Sequence, residues 1–167
     1  MTNLQRGLIL AGAQLALVAS LAAKYAVDRA RLPRVWVRTV AYDPNLPIRG
    51  RYLSLQLCVT PENGYASTSV LGQMRDATLQ VKDGHLVAMA ANHPTGLHVN
   101  QRLVLGAQMA VLAEPVAFFL PEHVMAPSVR GPGEEYWMEV TVPKTGLPRP
   151  VRLAIKRGNS FTPLNVN

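Results

Sequence analysis

The chain has 167 residues, a formal net charge of +7 and a single cysteine, Cys58. This length is enough for one domain of ordinary size, and one cysteine excludes an intramolecular disulfide. Residues 1–38 hold six basic residues and one acid, which is +5 of the total of +7. A nucleic-acid-binding domain would have such an excess on its folded surface, so we expect no nucleic-acid partner.

The N-terminal segment is the most informative part of the sequence. Residues 7–23 read GLILAGAQLALVASLAA and contain no charge. About 17 apolar residues is the short end of the length that spans a bilayer. Lys24 near a helix end can extend its ammonium group to the interface, so residues 25–27 can lengthen the run. We therefore predict an N-terminal tail, residues 1–6, and a transmembrane and juxtamembrane helix, residues 7–31, in a lipid bilayer.

Two other interpretations of this segment remain open. A signal peptide cleaved near Ala22 or Ala23 would use the small residues that stand there at the required spacing. A buried core helix is the other alternative, but such a helix normally keeps a polar face, and this run has almost none.

The charges around the segment give conflicting signals about membrane orientation. More basic residues follow the run than precede it, and the positive-inside rule would place the following domain in the cytoplasm. The short N-terminal tail and the signal-like run favour the opposite orientation. We predict a single-pass protein whose soluble domain is extracytoplasmic.

Residues 34–158 have the pattern of a small β domain. Alternating apolar and polar side chains predict strands, and Asp83-Gly84 is a pair that favours a type I′ hairpin turn. The pattern of residues 101–112 is compatible with strand or helix. We predict a mainly β fold, a small β-sandwich or barrel, followed by a frayed tail at residues 159–167. The predicted strands are 34–42, 51–60, 116–120, 135–142 and 151–155, and the predicted hairpin is 77–91.

Two stretches resemble a known bacterial family. Residues 50–57, Gly-Arg-Tyr-Leu-Ser-Leu-Gln-Leu, are similar to the octet for which the GDYXXLXY family is named. Residues 118–123, Phe-Phe-Leu-Pro-Glu-His, are similar to the aromatic-x-Pro-Glu segment of that family. The resemblance covers most of the chain, to about Lys156. It implies a bacterial, membrane-anchored protein without an assigned reaction, and with the hydrophobic segment it predicts the cytoplasmic (inner) membrane as the location.

Two positions depart from the octet of the family. Arg51 stands where the family has Asp, and Leu57 stands where it has a final Tyr. A role that requires a carboxylate at the second position therefore cannot be transferred to this chain.

The matched positions and their neighbours form the predicted functional corner of the domain. Gly50 lies where a proline-rich loop enters a strand, so a positive φ or a close backbone approach would explain it. Tyr52 falls on the more polar face of its strand, where its ring can cover the sheet. Glu122 would pair with Arg49 or Arg51 as a structural clasp rather than act as a catalytic acid. The full set is Arg49, Gly50, Arg51, Tyr52, Leu55, Pro121, Glu122 and His123.

The sequence contains no motif that specifies a reaction. It has no cysteine pair, HExxH, GxSxG or glycine-rich phosphate loop, and His93 and His98, five residues apart, are a weak metal signal. We therefore predict no catalytic residue, no cofactor and no metal ligand. The enzymatic option that the residues allow is a Ser-Lys dyad of Lys82 with Ser54, Ser67 or Ser69.

These observations favour a membrane-anchored accessory protein that acts by binding, as an assembly or regulatory subunit of a larger membrane complex. The predicted partner is another membrane protein, because small residues in the N-terminal helix permit close helix packing. An anchored hydrolase or peptidase-like enzyme that uses Ser or the corner at Glu122 is a less favoured alternative. A further alternative is an envelope lipid- or polymer-binding module, with a groove lined by Tyr52, Trp137 and basic residues.

Overall fold

The structure is a computed structural model that describes residues 2–41, 52–62, 74–104, 107–121 and 133–164. The chain divides into two compact units, Met1–Leu32 and Pro33–Asn167. The first unit contains one helix, and the second contains eleven strands among its described residues. The prediction of an N-terminal apolar helix followed by a mainly β domain is therefore confirmed.

Helix α1 spans Asn3–Arg31 and begins at a capping box. The side chain of Thr2 accepts a hydrogen bond from the Gln5 N–H at 3.4 Å, and the Thr2 N–H donates to Gln5 Oε1 at 2.9 Å. The helix ends at Arg31, and its cap residue Leu32 is extended because the proline that follows disfavours the helical conformation.

No residue of α1 is buried, so the alternative of a buried core helix is wrong. Leu4 and Leu15 are 74% and 71% exposed. The helix is long and apolar enough to cross a membrane and lies near the N-terminus. A signal sequence shares these properties, so the choice between an uncleaved anchor and a signal peptide stays open at this point.

The β domain contains two sheets. The six-stranded sheet has the order β11-β10-β9-β1-β2-β8, and the five-stranded sheet has the order β3-β5-β4-β6-β7. Both sheets curl into half-barrel-like layers around one core cluster of apolar side chains. The strands are β1 (Arg34–Ala41), β2 (Tyr52–Leu57), β3 (Thr60–Glu62), β4 (Arg75–Lys82), β5 (His85–Ala90), β6 (His98–Val104), β7 (Ala107–Leu112), β8 (Val116–Phe119), β9 (Glu134–Thr141), β10 (Arg149–Arg157) and β11 (Ser160–Pro163).

The predicted hairpin at Asp83-Gly84 is confirmed. Strands β4 and β5 pair on either side of this turn, and both turn residues have positive φ, 50° and 74°, as a type I′ turn requires. The pattern of residues 101–112 was compatible with strand or helix. In the structure, residues 101–104 form the end of β6 and residues 107–112 form β7, and the two strands pair antiparallel.

One strand lies in the segment that the sequence predicted to be a frayed tail. Strand β11 pairs with β10 from Arg157↔Ser160 to Ala154↔Pro163. Gly158, with a φ of 55°, supplies the positive φ for the two-residue turn between them. The Gly-Asn pair at this turn was the signal for a hairpin, and the exposed strand after it lacks the apolar alternation that marks a strand in sequence.

Thr39 explains a slip in the apolar alternation of β1. Val35 and Val37 are buried, and Thr39, only 1% exposed, takes the third inward position in place of Val40. Its hydroxyl donates to the Tyr136 carbonyl at 3.0 Å. Burial of a hydroxyl that is hydrogen-bonded in this way costs little free energy. Strand β1 therefore keeps its alternation of buried and exposed positions, with a polar residue at one buried position.

The two sheets are joined where β2 ends. Cys58 forms an isolated bridge with Val111 of β7, and the Cys58 N–H donates to the Arg38 carbonyl of β1 at 2.9 Å. The next residue, Val59, donates to the Ala110 carbonyl at 3.0 Å. The chain after β2 therefore bonds to the six-stranded sheet and to the five-stranded sheet in succession.

The buried amide of Gln56 strengthens this junction. Gln56 is 2% exposed; its Nε2 donates to the Ala113 carbonyl at 2.8 Å, and its Oε1 accepts from Arg102 Nη1. Gln56 belongs to one sheet, whereas Arg102 lies in the other and Ala113 follows the last strand of that sheet. One buried side chain thus links the sheets through two hydrogen bonds.

We expect Gln56→Leu to destabilise the domain by about 1–3 kcal/mol, because it leaves the Ala113 carbonyl and the Arg102 guanidinium without this partner. Urea unfolding of the detergent-solubilised protein, followed by tryptophan fluorescence, measures the change. Gln80→Leu, at an exposed position of β4, is the matched control and should change stability by less than about 0.5 kcal/mol. Equal effects of the two substitutions would contradict the role of Gln56.

Candidate functional site

Most of the predicted functional corner cannot be placed. Its members Arg49, Gly50, Arg51, Glu122 and His123 lie outside the described residues. The predicted pairing of Glu122 with Arg49 or Arg51 therefore stays a prediction, as does the predicted conformation of Gly50.

The three described members of the corner lie on or beside two neighbouring strands. Tyr52 of β2 is directly opposite Phe119 of β8, and their ring centroids are 6.1 Å apart. Pro121 is half-buried just after β8, and Leu55, 3% exposed, belongs to the core. The structure thus brings together the two stretches that resemble the family. It gives Leu55 a packing role.

A small cavity lies between β4, residues 93–97 and the β9–β10 loop, residues 142–148. Its volume is about 170 Å³, below the range of about 300–1,000 Å³ that is common for ligand pockets. Within the described residues, the titratable groups of its lining are His93 and Lys144. The cavity can therefore admit a small group but is not a substrate cleft of ordinary size.

Three titratable side chains, Asp76, His98 and Glu114, form a cluster close to this cavity. Glu114 Oε1 lies 2.6 Å from His98 Nδ1, and Glu114 Oε2 accepts from the His98 backbone N–H at 2.9 Å. Asp76 Oδ1 lies 3.8 Å from His98 Nε2 and accepts from the Thr95 N–H at 3.0 Å. Because Thr95 also lines the cavity, the cluster and the cavity share one loop.

The two carboxylates raise the pKa of His98. The hydrogen bond with Glu114 is the largest cause; burial opposes it, and the negative charges of Glu114 and Asp76 add to it. Each ring nitrogen faces a carboxylate, so a protonated His98 bridges two carboxylates across β4, β6 and the residues after β7. Among the described residues, no group of three His, Cys, Asp or Glu side chains is arranged to hold a metal ion.

The environment of Lys82 disfavours the Ser-Lys option for this residue. Its ammonium forms an ion pair with Glu62, and that hydrogen bond is the main cause of a raised pKa at Lys82. A general base in such a dyad needs a lowered lysine pKa. Of its potential partners, Ser67 and Ser69 lie outside the described residues, and Ser54 lies on β2.

The aromatic residues of the predicted groove belong to separate contacts. Trp137 packs with Phe161 at a centroid distance of 6.4 Å, and Lys156 Nζ lies 5.2 Å from the Trp137 ring. Trp36 packs edge-on against Phe161 at 4.8 Å. Tyr52 instead packs with Phe119, so within the described chain no ring contact joins Tyr52 to Trp137.

No family model matches this chain, and comparisons with curated proteins and with solved structures found no match. The resemblance to the GDYXXLXY family therefore stays a prediction from the residues quoted for it.

We predict that the His98 cluster makes the stability of the domain depend on pH. The folded state raises the pKa of His98 above its ordinary value of 6.5, so the folded state binds the proton more tightly than the unfolded state does. The stabilisation is complete below the ordinary value and is lost as the pH rises through the folded-state pKa. Its size is below about 1 kcal/mol, because the side chain is 38% exposed.

Urea unfolding in detergent at a series of pH values on both sides of neutrality tests this prediction. His98→Gln should remove the component of stability that is lost with rising pH. His85→Gln, at the exposed first residue of β5, is the control and should retain that component. An unchanged pH dependence in His98→Gln would contradict the assignment.

Proposed function

We propose that this protein is a membrane-anchored accessory protein that acts by binding, as an assembly or regulatory subunit of a larger membrane complex. In this proposal, α1 stays attached as a single-pass anchor in the bacterial cytoplasmic membrane, and the β domain is extracytoplasmic. The proposal depends on one observation above all: α1 is a long apolar helix in which no residue is buried.

Exposed apolar side chains of this number require a nonaqueous environment. Nine Leu, Ile and Val residues of α1, from Leu4 to Val27, are at least 47% exposed. Transfer of such side chains out of water contributes about 1.5–3 kcal/mol each, so insertion of the helix into a bilayer is strongly favourable. This supports the lipid bilayer as the first partner.

Small residues on α1 support a second partner, another membrane helix. Gly12, Ala16 and Ala19 fall on one face of the helix, because residues four and seven apart return to nearly the same angle. A Cβ at Gly12 would meet nothing within 4 Å, so the space beside Gly12 is available to a partner helix. Small residues at this spacing let two helix backbones pack closely in a membrane.

The β domain supports a binding function rather than a reaction. In its described part, several charged side chains form pairs of opposite charge, such as Arg38 with Glu135 and Arg152 with Glu139. The larger exposed features are side chains on sheet surfaces, including Phe119 at 74% and Leu103 at 68% exposed.

We expect purification from native membranes, through a tag after Asn167, to yield a stoichiometric membrane partner. Protease added to intact cells should remove the tag, because the proposal places the domain outside the cytoplasm. Gly12→Leu combined with Ala16→Leu should abolish co-purification, since it fills the close-packing face of α1. Val18→Leu adds apolar volume on the opposite face and should leave the partner bound.

Three results would contradict parts of this proposal. A protein that purifies alone from native membranes would remove the accessory role. A tag that protease cannot reach in intact cells, but does reach after lysis, would show a cytoplasmic domain. A soluble product that begins near Ala22 or Ala23 would show that the segment is a signal peptide.

A further inference from the structure

Charge is segregated along this chain in three blocks. Residues 1–38 have a net charge of +5, residues 39–139 have six basic and nine acidic groups, and residues 140–167 have five basic residues and no acid. The overall charge of +7 therefore comes from the two ends of the chain, whereas the middle is acidic.

The fold brings one residue of each basic block, Arg34 and Arg149, together at one end of the six-stranded sheet. Arg34 at the start of β1 is opposite Thr141 at the end of β9, and Thr141 is opposite Arg149 at the start of β10. Residues directly opposite in antiparallel strands share a face, so Arg34 and Arg149 flank Thr141 on one surface. The Val142 N–H donates to the Pro33 carbonyl at 3.0 Å, which fixes the β9–β10 loop at the same end.

The β9–β10 loop contains an exposed apolar residue that lies between basic residues in the sequence. Leu147 is 41% exposed and lies between Lys144, which is exposed, and Arg149. The nearest acid along this part of the chain is Glu139, whose Oε2 accepts from Arg152 Nε at 2.8 Å. An exposed leucine between two basic residues is the chemistry of a surface that contacts anionic lipid headgroups.

The connection between α1 and β1 is short. Two residues, Leu32 and Pro33, separate the end of α1 at Arg31 from the start of β1 at Arg34. The Cα atoms of Arg31 and Arg34 can therefore be at most about 11 Å apart. The apolar part of α1 ends one helical turn earlier, near Val27, so Arg34 follows the apolar segment by only seven residues along the chain.

We propose that Arg34, Lys144, Leu147 and Arg149 form a lipid-contact surface that rests on anionic phospholipid headgroups and fixes the β domain against the bilayer. This inference rests on the proposed anchoring by α1. It adds a second, electrostatic attachment, so that the domain is held at the membrane surface rather than moving freely about its short connection.

Nitroxide accessibility in nanodiscs tests the surface with the full chain. Cys58→Ala provides a cysteine-free background, Leu147→Cys supplies the labelling site, and Asn159→Cys at the opposite end of β10 is the matched control. Power saturation compares collision of the label with oxygen, which partitions into lipid, and with a water-soluble nickel complex. Discs of phosphatidylcholine alone are compared with discs that also contain phosphatidylglycerol.

The label at position 147 should become less accessible to nickel and more accessible to oxygen when phosphatidylglycerol is present, and the label at position 159 should not change. High salt should reverse the shift, because it screens the exposed charges. Lys144→Gln should lower the equilibrium constant for contact between the loop and the bilayer about fivefold, because one cation at an anionic surface has an effect of this size. Lys82→Gln, which removes a cation elsewhere, should leave the shift unchanged.

The outcomes separate the two proposals. A chain that does not co-elute with either kind of disc would overturn the anchoring itself. A chain that co-elutes but gives equal nickel accessibility at positions 147 and 159 in both lipids would overturn the lipid-contact surface and leave the anchor intact. Protection of position 147 only in native membranes, and never in pure lipid, would also overturn it, because a protein partner would then cover the loop.

Discussion

The β domain depends on the junction at the end of β2. This strand pairs with β1 along one edge and with β8 along the other, and Cys58 and Val59 then bond to β1 and β7 in succession. Gln56 adds a buried amide that reaches across to the second sheet. Because a buried amide without partners costs as much as several ordinary hydrogen bonds contribute, the two sheets are held in a single arrangement around their shared core.

This arrangement also determines which polar groups meet at the cavity end of the domain. The β6–β7 register pairs Val99 with Leu112, so His98 and the residues that follow β7 are brought side by side. Glu114 can then reach the His98 ring, and the pairing of β4 with β6 adds Asp76 from the other side. The histidine cluster is thus a consequence of strand register, and its raised pKa follows from the two carboxylates that the register supplies.

Strands with regular alternation were predictable from sequence, and features that depend on long-range pairing were not. The alternation in β2 and β9 and the Asp83-Gly84 turn identify those elements locally. The residues that pair with His98 are 22 and 16 positions away in sequence, and the hairpin that joins β6 to β7 had an ambiguous pattern, so the cluster was missed. Strand β11 was missed because its side chains are exposed on both faces and it is defined by backbone pairing with β10. The predicted corner around Gly50 and Glu122 lies outside the described residues and is untested.

The distribution of charge along the chain can be interpreted only when the strand order of the six-stranded sheet is known. In sequence, the excess of basic residues near the N-terminus is explained by its position beside a hydrophobic segment. The five basic residues after Glu139 have no such neighbour and resemble ordinary surface charge. Once β10, β9 and β1 are placed side by side, Arg149 lies at the same end of the sheet as Arg34, and so does the β9–β10 loop that contains Lys144. Arg34 in turn follows the last residue of α1, Arg31, by three positions in the chain. Chain connection and strand order therefore place basic residues that are far apart in the sequence at one end of the sheet. The proposed electrostatic role at the membrane follows from this arrangement and not from the net charge.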